Sequence, residues 1–182
     1  MLPLKRMLAA ALLVFGLGVA SANAADPENT LLMDLRTGRV VIEMRPDLAP
    51  AHVARIKQLV RQGFYDGTPF HRVISGFMAQ GGDPTGTGQG GSGQTIKAEF
   101  SKEHHARGIC SMARTSDPNS GDSQFFIMLG DNSSLDGQYS IWGKVVEGME
   151  HVDMIRKGGG ANGEVSNPDK IIKLRVAADV KE

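Results

Sequence analysis

The apolar residues of this 182-residue chain occur in short runs separated by glycine-rich segments, and this pattern constrains the fold most. The chain has 23 glycines, whereas aromatic residues make up only 5% of it. Glycine favours tight turns, and short apolar runs between turns are typical of strands rather than of long helices. The pattern therefore predicts many short strands joined by loops, and the length fits one domain with an appendage.

Eight runs have the length and composition of strands: 31–36, 39–45, 70–74, 77–80, 109–113, 124–129, 139–146 and 170–177. Apolar residues at helical spacing predict one helix that starts near Ala51 and ends before Gly63. A second, shorter helix is predicted over 149–156. Many short strands with two helices are typical of an antiparallel barrel or a sandwich, and the pattern alone leaves both open.

The first 24 residues have the three-part layout of a secretory signal peptide. Lys5 and Arg6 precede an apolar stretch over 7–20, and small residues then lead up to Ala24. The apolar stretch is shorter than the roughly 20 residues that cross a bilayer as a helix, so a membrane anchor is the weaker alternative. We expect cleavage after Ala24, and a periplasmic or secreted mature chain over 25–182.

Composition and isolated motifs argue against a nucleic-acid-binding protein, a nucleotide-binding protein and a metalloprotein. The 20 basic and 20 acidic residues balance, which gives no electrostatic reason to bind nucleic acid. The segment Gly86–Gly91 matches G-x-G-x-x-G, but it lies among loop residues rather than between a strand and a helix. His104 and His105 are adjacent, so their rings would diverge in a strand, and no histidine has metal-ligand spacing. The single cysteine, Cys110, is expected to be buried and inert.

Two blocks of sequence carry the functional information. The first is Phe70–Asp83, which reads FHRVISGFMAQGGD, and the second comprises 111–114, 119–127, 135–137 and 143–145. These blocks resemble the cyclophilin family of peptidyl-prolyl cis–trans isomerases over nearly all of the chain after the leader. The resemblance implies a closed antiparallel eight-stranded β-barrel capped by two α-helices. It also implies an enzyme without metal or cofactor, which acts on unfolded, proline-containing polypeptides.

The resemblance also assigns roles to particular residues. Arg72 is the hydrogen-bond donor to the prolyl nitrogen, and Gln80 orients Arg72 and holds the substrate backbone. The proline ring is held by Phe77, Met78, Phe126 and Leu135, and the substrate-binding surface is completed by Ala113, Arg114, Gln124 and Tyr139. Alternate residues of a strand share a face, so Met78 and Gln80 can form one patch with Arg72, while His71 faces the opposite way. Such a patch suits a proline ring beside a peptide bond.

Three positions depart from the pattern of the family. Ser134 stands where the best-known eukaryotic members have a tryptophan that grips cyclosporin, so we expect weak cyclosporin binding. Tyr139 stands where these members have a histidine. With this tyrosine and the leader, the sequence resembles a bacterial periplasmic cyclophilin. Arg114 is a candidate for altered preference at the residue before proline, through its backbone more than its side chain.

Two other functions stay open at this stage. A proline-peptide binding or holdase module with little turnover would use the same pocket. It would need only the apolar side chains that hold the proline ring. A carbohydrate- or ligand-binding barrel has no supporting motif. The sequence carries no signal for oligomerisation, so a monomer is the default expectation, and the client proteins are not specified.

Overall fold

The computed structural model describes residues 26–181. The predicted signal peptide over 1–24 and its cleavage site lie outside the described residues. Within 26–181, helices are too short or too polar to cross a bilayer.

The described chain folds mainly into one antiparallel sheet of eight strands. The strands are β1 (Thr30–Leu35), β2 (Gly38–Met44), β3 (Arg72–Ile74), β4 (Met78–Gly81), β5 (Ile109–Met112), β6 (Phe125–Met128), β7 (Ile141–Glu147) and β8 (Lys173–Val176). Their order in the sheet is β3-β4-β6-β5-β7-β2-β1-β8. Each predicted run overlaps one of these strands, so the strand predictions are confirmed. β1 and β2 form a hairpin, in which Leu35 pairs with Gly38.

The prediction of a closed barrel is wrong, because the sheet curls into an open half-barrel. The strands at its two ends, β3 and β8, do not pair with each other. The outer edge of β3 is occupied instead by a loop: the Val73 N–H donates to the Gly163 carbonyl (2.7 Å), and the Val165 N–H donates to the His71 carbonyl (3.0 Å). The segments that precede β3 and β8 meet at an isolated bridge between Pro69 and Lys170, and backbone hydrogen bonds join 67–70 to 169–171.

The first helix, α1 (Pro50–Arg61), covers one opening of the half-barrel with its apolar face. His52, Val53, Ile56, Leu59 and Val60 are buried on that face. Pro50 suits the first helical position because its φ is fixed and its missing N–H needs no partner there. Gly63 follows the helix with a φ of +69°, the left-handed conformation that ends helices. The prediction of this helix and of its end is confirmed.

The second helix, α2 (Met149–Asp153), is shorter than the predicted 149–156. The Arg156 N–H donates to the carboxylate of Asp169 (2.8 Å), and the Gly158 N–H donates to the Val73 carbonyl (2.9 Å). These two bonds fix the chain after Asp153 in a non-helical path, which accounts for the early end.

Two neighbouring residues of β6 face two different apolar clusters. Phe125 points into the main core, where it packs edge-on against Trp142 with ring centroids 5.5 Å apart. Phe126 points to the other face, into a smaller cluster with Met78, Met128 and Ile141. Because strand side chains alternate, β6 separates the core from the face that carries the predicted site. Cys110 lies in the main core, and burial raises the pKa of its thiol, in agreement with the predicted inert role.

Candidate active site

The predicted site residues line a shallow hollow of about 110 Å³ over β3, β4 and β6. Nine of the ten predicted residues surround it: Arg72, Phe77, Met78, Gln80, Ala113, Arg114, Phe126, Leu135 and Tyr139. The tenth, Gln124, lines an adjoining hollow of about 240 Å³ together with Gln80 and Arg114. The structure therefore brings together residues from five separate segments of the sequence.

Strand register places the central side chains in one row. Arg72 pairs with Gln80 across β3 and β4, and Gln80 pairs with Phe126 across β4 and β6. Directly opposed residues of antiparallel strands share a face and lie close enough for their side chains to touch. The guanidinium, the amide and the phenyl ring therefore follow one another across the sheet, as the alternation in the sequence predicted.

A chain of hydrogen bonds fixes the guanidinium of Arg72. Its Nη1 donates to Gln80 Oε1 (3.1 Å), and Gln80 Nε2 donates to Gln124 Oε1 (3.0 Å). A guanidinium can only donate, so Gln80 must turn its oxygen to Arg72 and its amino group to Gln124. Gln124 Nε2 then donates to the carbonyls of Gly88 (3.0 Å) and Gly90 (2.8 Å). Because the guanidinium of Arg72 can only donate, it fixes the direction of every hydrogen bond from Arg72 to Gln124 and the glycine loop.

The glycine loop at the end of this chain is held by the buried carboxylate of Asp83. One oxygen accepts from the N–H and the hydroxyl of Thr85 (both 2.8 Å), and the other from the N–H groups of Gly88 (2.7 Å) and Gly90 (3.1 Å). Burial alone would raise the pKa of Asp83, but these hydrogen bonds outweigh it and lower the pKa to about 2. A Cβ at Gly90 would lie 2.1 Å from this carboxylate, so the position requires glycine. The G-x-G-x-x-G segment is thus a loop, as predicted.

The far wall of the hollow is built by Leu135, in a short 3-10 turn, and by Tyr139. Tyr139 meets Phe126 edge-on with ring centroids 5.3 Å apart. The guanidinium carbon of Arg114 lies 4.7 Å from the centre of the Tyr139 ring, and its Nε and Nη2 donate to the Gln138 carbonyl (3.1 and 3.0 Å). The side chain of Arg114 thus lines the hollow too, although the sequence analysis gave the larger role to its backbone.

One histidine behind the wall, in contact with Phe126 and Tyr139, was missed by sequence reasoning. His105 is fully buried, with Nε2 3.0 Å from Ser111 Oγ and Nδ1 3.1 Å from Asp136 Oδ1. His104 Nδ1 lies 2.8 Å from the other oxygen of Asp136. The prediction that the two rings diverge is therefore wrong: residues 104 and 105 lie in a loop, not a strand, and both rings turn to one carboxylate.

These two histidines have opposite pKa shifts. Burial lowers the pKa of His105 in spite of the contact with Asp136. The hydrogen bond to Asp136 raises the pKa of the exposed His104. The same contacts lower the pKa of Asp136 to about 2. Residues 26–181 hold no group of three His, Cys, Asp or Glu side chains that could bind a metal ion.

The lining of the hollow consists of apolar side chains, amides and guanidinium groups, a set that suits an uncharged ring beside a peptide group. A family profile described as cyclophilin-type peptidyl-prolyl cis–trans isomerase/CLD matches residues 30–176. The chain belongs to this family, and it is a peptidyl-prolyl cis–trans isomerase, the activity for which its curated relatives are named.

Two relatives show how far the likeness extends. A probable peptidyl-prolyl cis–trans isomerase of Brucella suis is 54% identical over an alignment of 187 positions that covers 95% of each chain. Peptidyl-prolyl cis–trans isomerase B of Bacillus subtilis is 43% identical over 122 residues, which is 66% of this chain and 85% of the relative.

Two solved structures have a similar fold. The crystal structure of cyclophilin AquaCyp293 from Hirschia baltica has a TM-score of 0.78 and 32% identity, over 86% of this chain and 77% of that one. A Cryptosporidium parvum cyclophilin, crystallised in the presence of the dipeptide Ala-Pro, has a TM-score of 0.74 and 30% identity, over 81% and 98%.

Proposed function

We propose that Arg72 catalyses rotation about X–Pro bonds by donating a hydrogen bond to the prolyl nitrogen of the twisted amide. Peptide resonance opposes this rotation with a barrier of about 18–20 kcal/mol. Twisting breaks the resonance and returns a lone pair to the nitrogen, so a donor aimed at this atom binds the transition state better than either ground state. The reaction makes and breaks no covalent bond, and it needs no nucleophile.

The observation that carries this proposal is the fixed guanidinium at the edge of an apolar hollow. Arginine has five N–H donors. One of them is used by Gln80 and one by the carbonyl of Asn162, which Nε contacts at 2.9 Å. Three donors therefore remain for substrate. Because the carbonyl and the amide hold the side chain in place, little conformational entropy is lost when the substrate binds.

The same geometry favours catalysis over simple peptide binding. A module that binds ground-state proline needs the apolar surface of Phe77, Met78, Phe126 and Leu135, but it gains nothing from a donor that acts on the twisted amide. The chain Arg72–Gln80–Gln124 orients such a donor at the hollow. The binding or holdase module is therefore the second candidate.

The test is prolyl isomerisation of a short X–Pro peptide by residues 25–182 and by two variants. Arg72→Ala removes a charge-assisted hydrogen bond of about 1.5–3 kcal/mol, and each 1.4 kcal/mol is about tenfold in rate. We expect a loss of about one to two decades in kcat/KM at unchanged Tm, and a smaller loss in Arg72→Lys. Unchanged turnover in Arg72→Ala would contradict the role of Arg72. Peptide binding without turnover in the wild type would favour the binding module.

We further propose that the substrates are exported, folding polypeptides and that the enzyme is a monomeric periplasmic or secreted protein. The leader over 1–24 supports this location. Weak cyclosporin binding is also proposed: Ser134 is an exposed serine in the turn beside Leu135, and it offers little apolar surface to a drug. Loss of turnover at nanomolar cyclosporin would contradict this part of the proposal.

A further inference from the structure

The proline hollow carries two positive charges and no negative one. Arg72 and Arg114 both line it, and its other lining residues are uncharged. Among the residues the structure describes, neither guanidinium has a carboxylate within 4.0 Å. Both donate to neutral carbonyl groups instead, Arg72 to Asn162 and Arg114 to Gln138 and Thr115. A carbonyl orients a guanidinium but does not cancel its charge.

This lack of carboxylate partners contrasts with most other arginines of the described chain. Six of them lie within 4.0 Å of an Asp or Glu oxygen: Arg36, Arg39, Arg45, Arg61, Arg107 and Arg175. Each of these lies away from the hollow. In the described chain the guanidinium groups of Arg55 and Arg156 have no carboxylate within 4.0 Å either, but they too lie outside the hollow. Within the hollow, both positive charges are without a carboxylate partner.

Two acidic residues lie near the hollow, and neither has its carboxylate within 4.0 Å of a guanidinium of the hollow. Asp122 lines the adjoining hollow, where its carboxylate accepts from the N–H and the hydroxyl of Ser92 and from the N–H of Gly93. These neutral groups hold the carboxylate but leave its charge in place. Glu164 is exposed and lines a third hollow of about 610 Å³ that also contains both arginines. Its carboxylate lies more than 4.0 Å from either guanidinium. An acidic ligand in the proline hollow itself would thus meet two positive charges, whereas each adjoining hollow also contains one carboxylate.

Arg114 is the arginine that a bound peptide must pass. It lines the proline hollow and both adjoining hollows, so a chain that leaves the proline position toward either of these reaches its side chain. Three of its five donors are used by Gln138 and Thr115, which leaves two for a ligand. Its contact with the ring of Tyr139 holds the guanidinium at the rim.

We propose that this isomerase prefers prolines that have an aspartate or glutamate as a neighbouring residue, and that Arg114 recognises the carboxylate. The proposal rests on the proposed isomerase site and adds the substrate class. A carboxylate matches the forked donors of the Arg114 guanidinium, whereas a lysine at the same position is repelled by Arg114.

The experiment measures kcat/KM of the full-length chain by NMR exchange on peptides that differ at one residue. One set carries Glu, Gln or Lys before the proline, and a second set carries the same residues after it. In at least one set we expect Glu to exceed Lys by about fivefold, with Gln between them, as for an exposed ion pair. The ratio should fall as salt is raised, because exposed charges are screened.

Three variants test whether Arg114 causes the preference for Glu over Lys. Arg114→Gln should bring the Glu-to-Lys ratio close to one, and Arg114→Lys should retain part of it. Arg156→Gln is the matched control, since Arg156 is an exposed arginine that donates to the Asn167 carbonyl away from the hollow, and it should change neither ratio nor rate.

Two results would overturn the proposal while leaving the isomerase intact. They are equal turnover of the Glu and Lys peptides by the wild type, and a Glu preference that survives in Arg114→Gln. Absence of turnover on every peptide, including the Gln peptides, would overturn the isomerase function itself and this preference with it.

Discussion

His105 connects the floor of the proline hollow to its wall. Its ring lies nearly parallel to that of Phe126 (centroids 6.4 Å apart, 21° between planes) and edge-on to that of Tyr139 (6.3 Å). Its two nitrogens contact Ser111, which pairs with Phe126, and Asp136, which follows Leu135 in the chain. We infer that His105 is a positioning residue that sets the spacing of floor and wall.

Replacing His105 by phenylalanine should therefore impair catalysis. The His105→Phe substitution keeps an aromatic ring but leaves the Ser111 hydroxyl and one Asp136 oxygen without the imidazole, which costs about 1–3 kcal/mol of stability. We expect kcat to fall about tenfold with little change in KM, because about 1.4 kcal/mol of transition-state preference is tenfold in rate. His105→Gln can remake one of the bonds and should recover part of the rate.

The neighbouring histidine provides the control for this prediction. His104 contacts the same carboxylate but is exposed and does not line the hollow. His104→Gln should leave kcat and KM unchanged. If His105→Phe loses stability at an unchanged kcat, the role of His105 is structural only.

For single residues, the sequence predicts the direction of some side chains and not of others. Arg72, Gln80 and Phe126 lie on strands, where alternation fixes the face of each residue once the strand is identified. His105 lies in a loop, and its contacts with Ser111 and Asp136 depend on the path of that loop, which no periodic pattern encodes. The contact between the Arg114 side chain and Tyr139 likewise joins two separate segments, and no strand pattern encodes it.

The start of α1 is capped by a residue far away in the sequence. Ala49 at the N-cap has no side chain that can accept a hydrogen bond, and Glu99 takes over this function. Its carboxylate accepts from the N–H groups of Ala51 and His52 (both 3.0 Å), and its Oε2 lies 2.6 Å from His52 Nδ1. The loop over 97–100 is thereby fixed to the helix.

Removing this cap should destabilise the fold. Glu99→Ala leaves two helix N–H groups and a buried imidazole without their partner, and we expect the free energy of unfolding to fall by about 1–2 kcal/mol. Chemical denaturation measures this loss. Glu99→Gln keeps an acceptor oxygen and should lose less. An alanine variant as stable as the wild type would show that water replaces the carboxylate.

The contribution of Glu99 to the stability of the fold should also depend on pH. Burial raises the pKa of Glu99, but the hydrogen bonds from His52 and Ala51 outweigh it, and the net pKa lies below the usual 4.5. A carboxyl with a lowered pKa stabilises the folded state above its unfolded pKa, and this stabilisation is lost as the pH falls through the folded pKa. The difference in stability between wild type and Glu99→Ala should thus shrink as the pH falls below about 4.5.

The strands and helices were easier to predict from the sequence than the closure of the barrel. Each strand is a short apolar run between turn residues, so all eight could be located. Closure of the barrel depends on what pairs with the edge of β3. That partner is the segment over 163–165, beside a glycine-rich loop, which lacks the pattern of a strand and could not be identified.

At the scale of the whole molecule, the first residues that the structure describes are held to the rest of the fold. Asp26 Oδ1 accepts from the Glu28 N–H (3.0 Å), and this contact caps the first 3-10 turn (Pro27–Asn29). Glu28 is in turn held by Lys57 and Arg61 of α1. Cleavage after Ala24 therefore removes none of these contacts.

We expect the exported protein to begin at Ala25. Mass spectrometry of the protein purified from the periplasmic fraction or the medium checks the new N-terminus. Replacing Ala24 by a bulky residue should block cleavage, because the signal peptidase requires small side chains. A cytoplasmic protein that still carries residues 1–24 would contradict the predicted export.

The hydrogen-bonded chain from Arg72 through Gln80 to Gln124 has a consequence for the conditions in which the enzyme works. Its two links, Gln80 and Gln124, are amides, which do not ionise. The loop that supports it depends on Asp83, whose pKa of about 2 keeps it ionised in all but strong acid. The position of the Arg72 donor should therefore change little between acid and alkaline pH, and kcat should vary little with pH wherever the fold itself is stable.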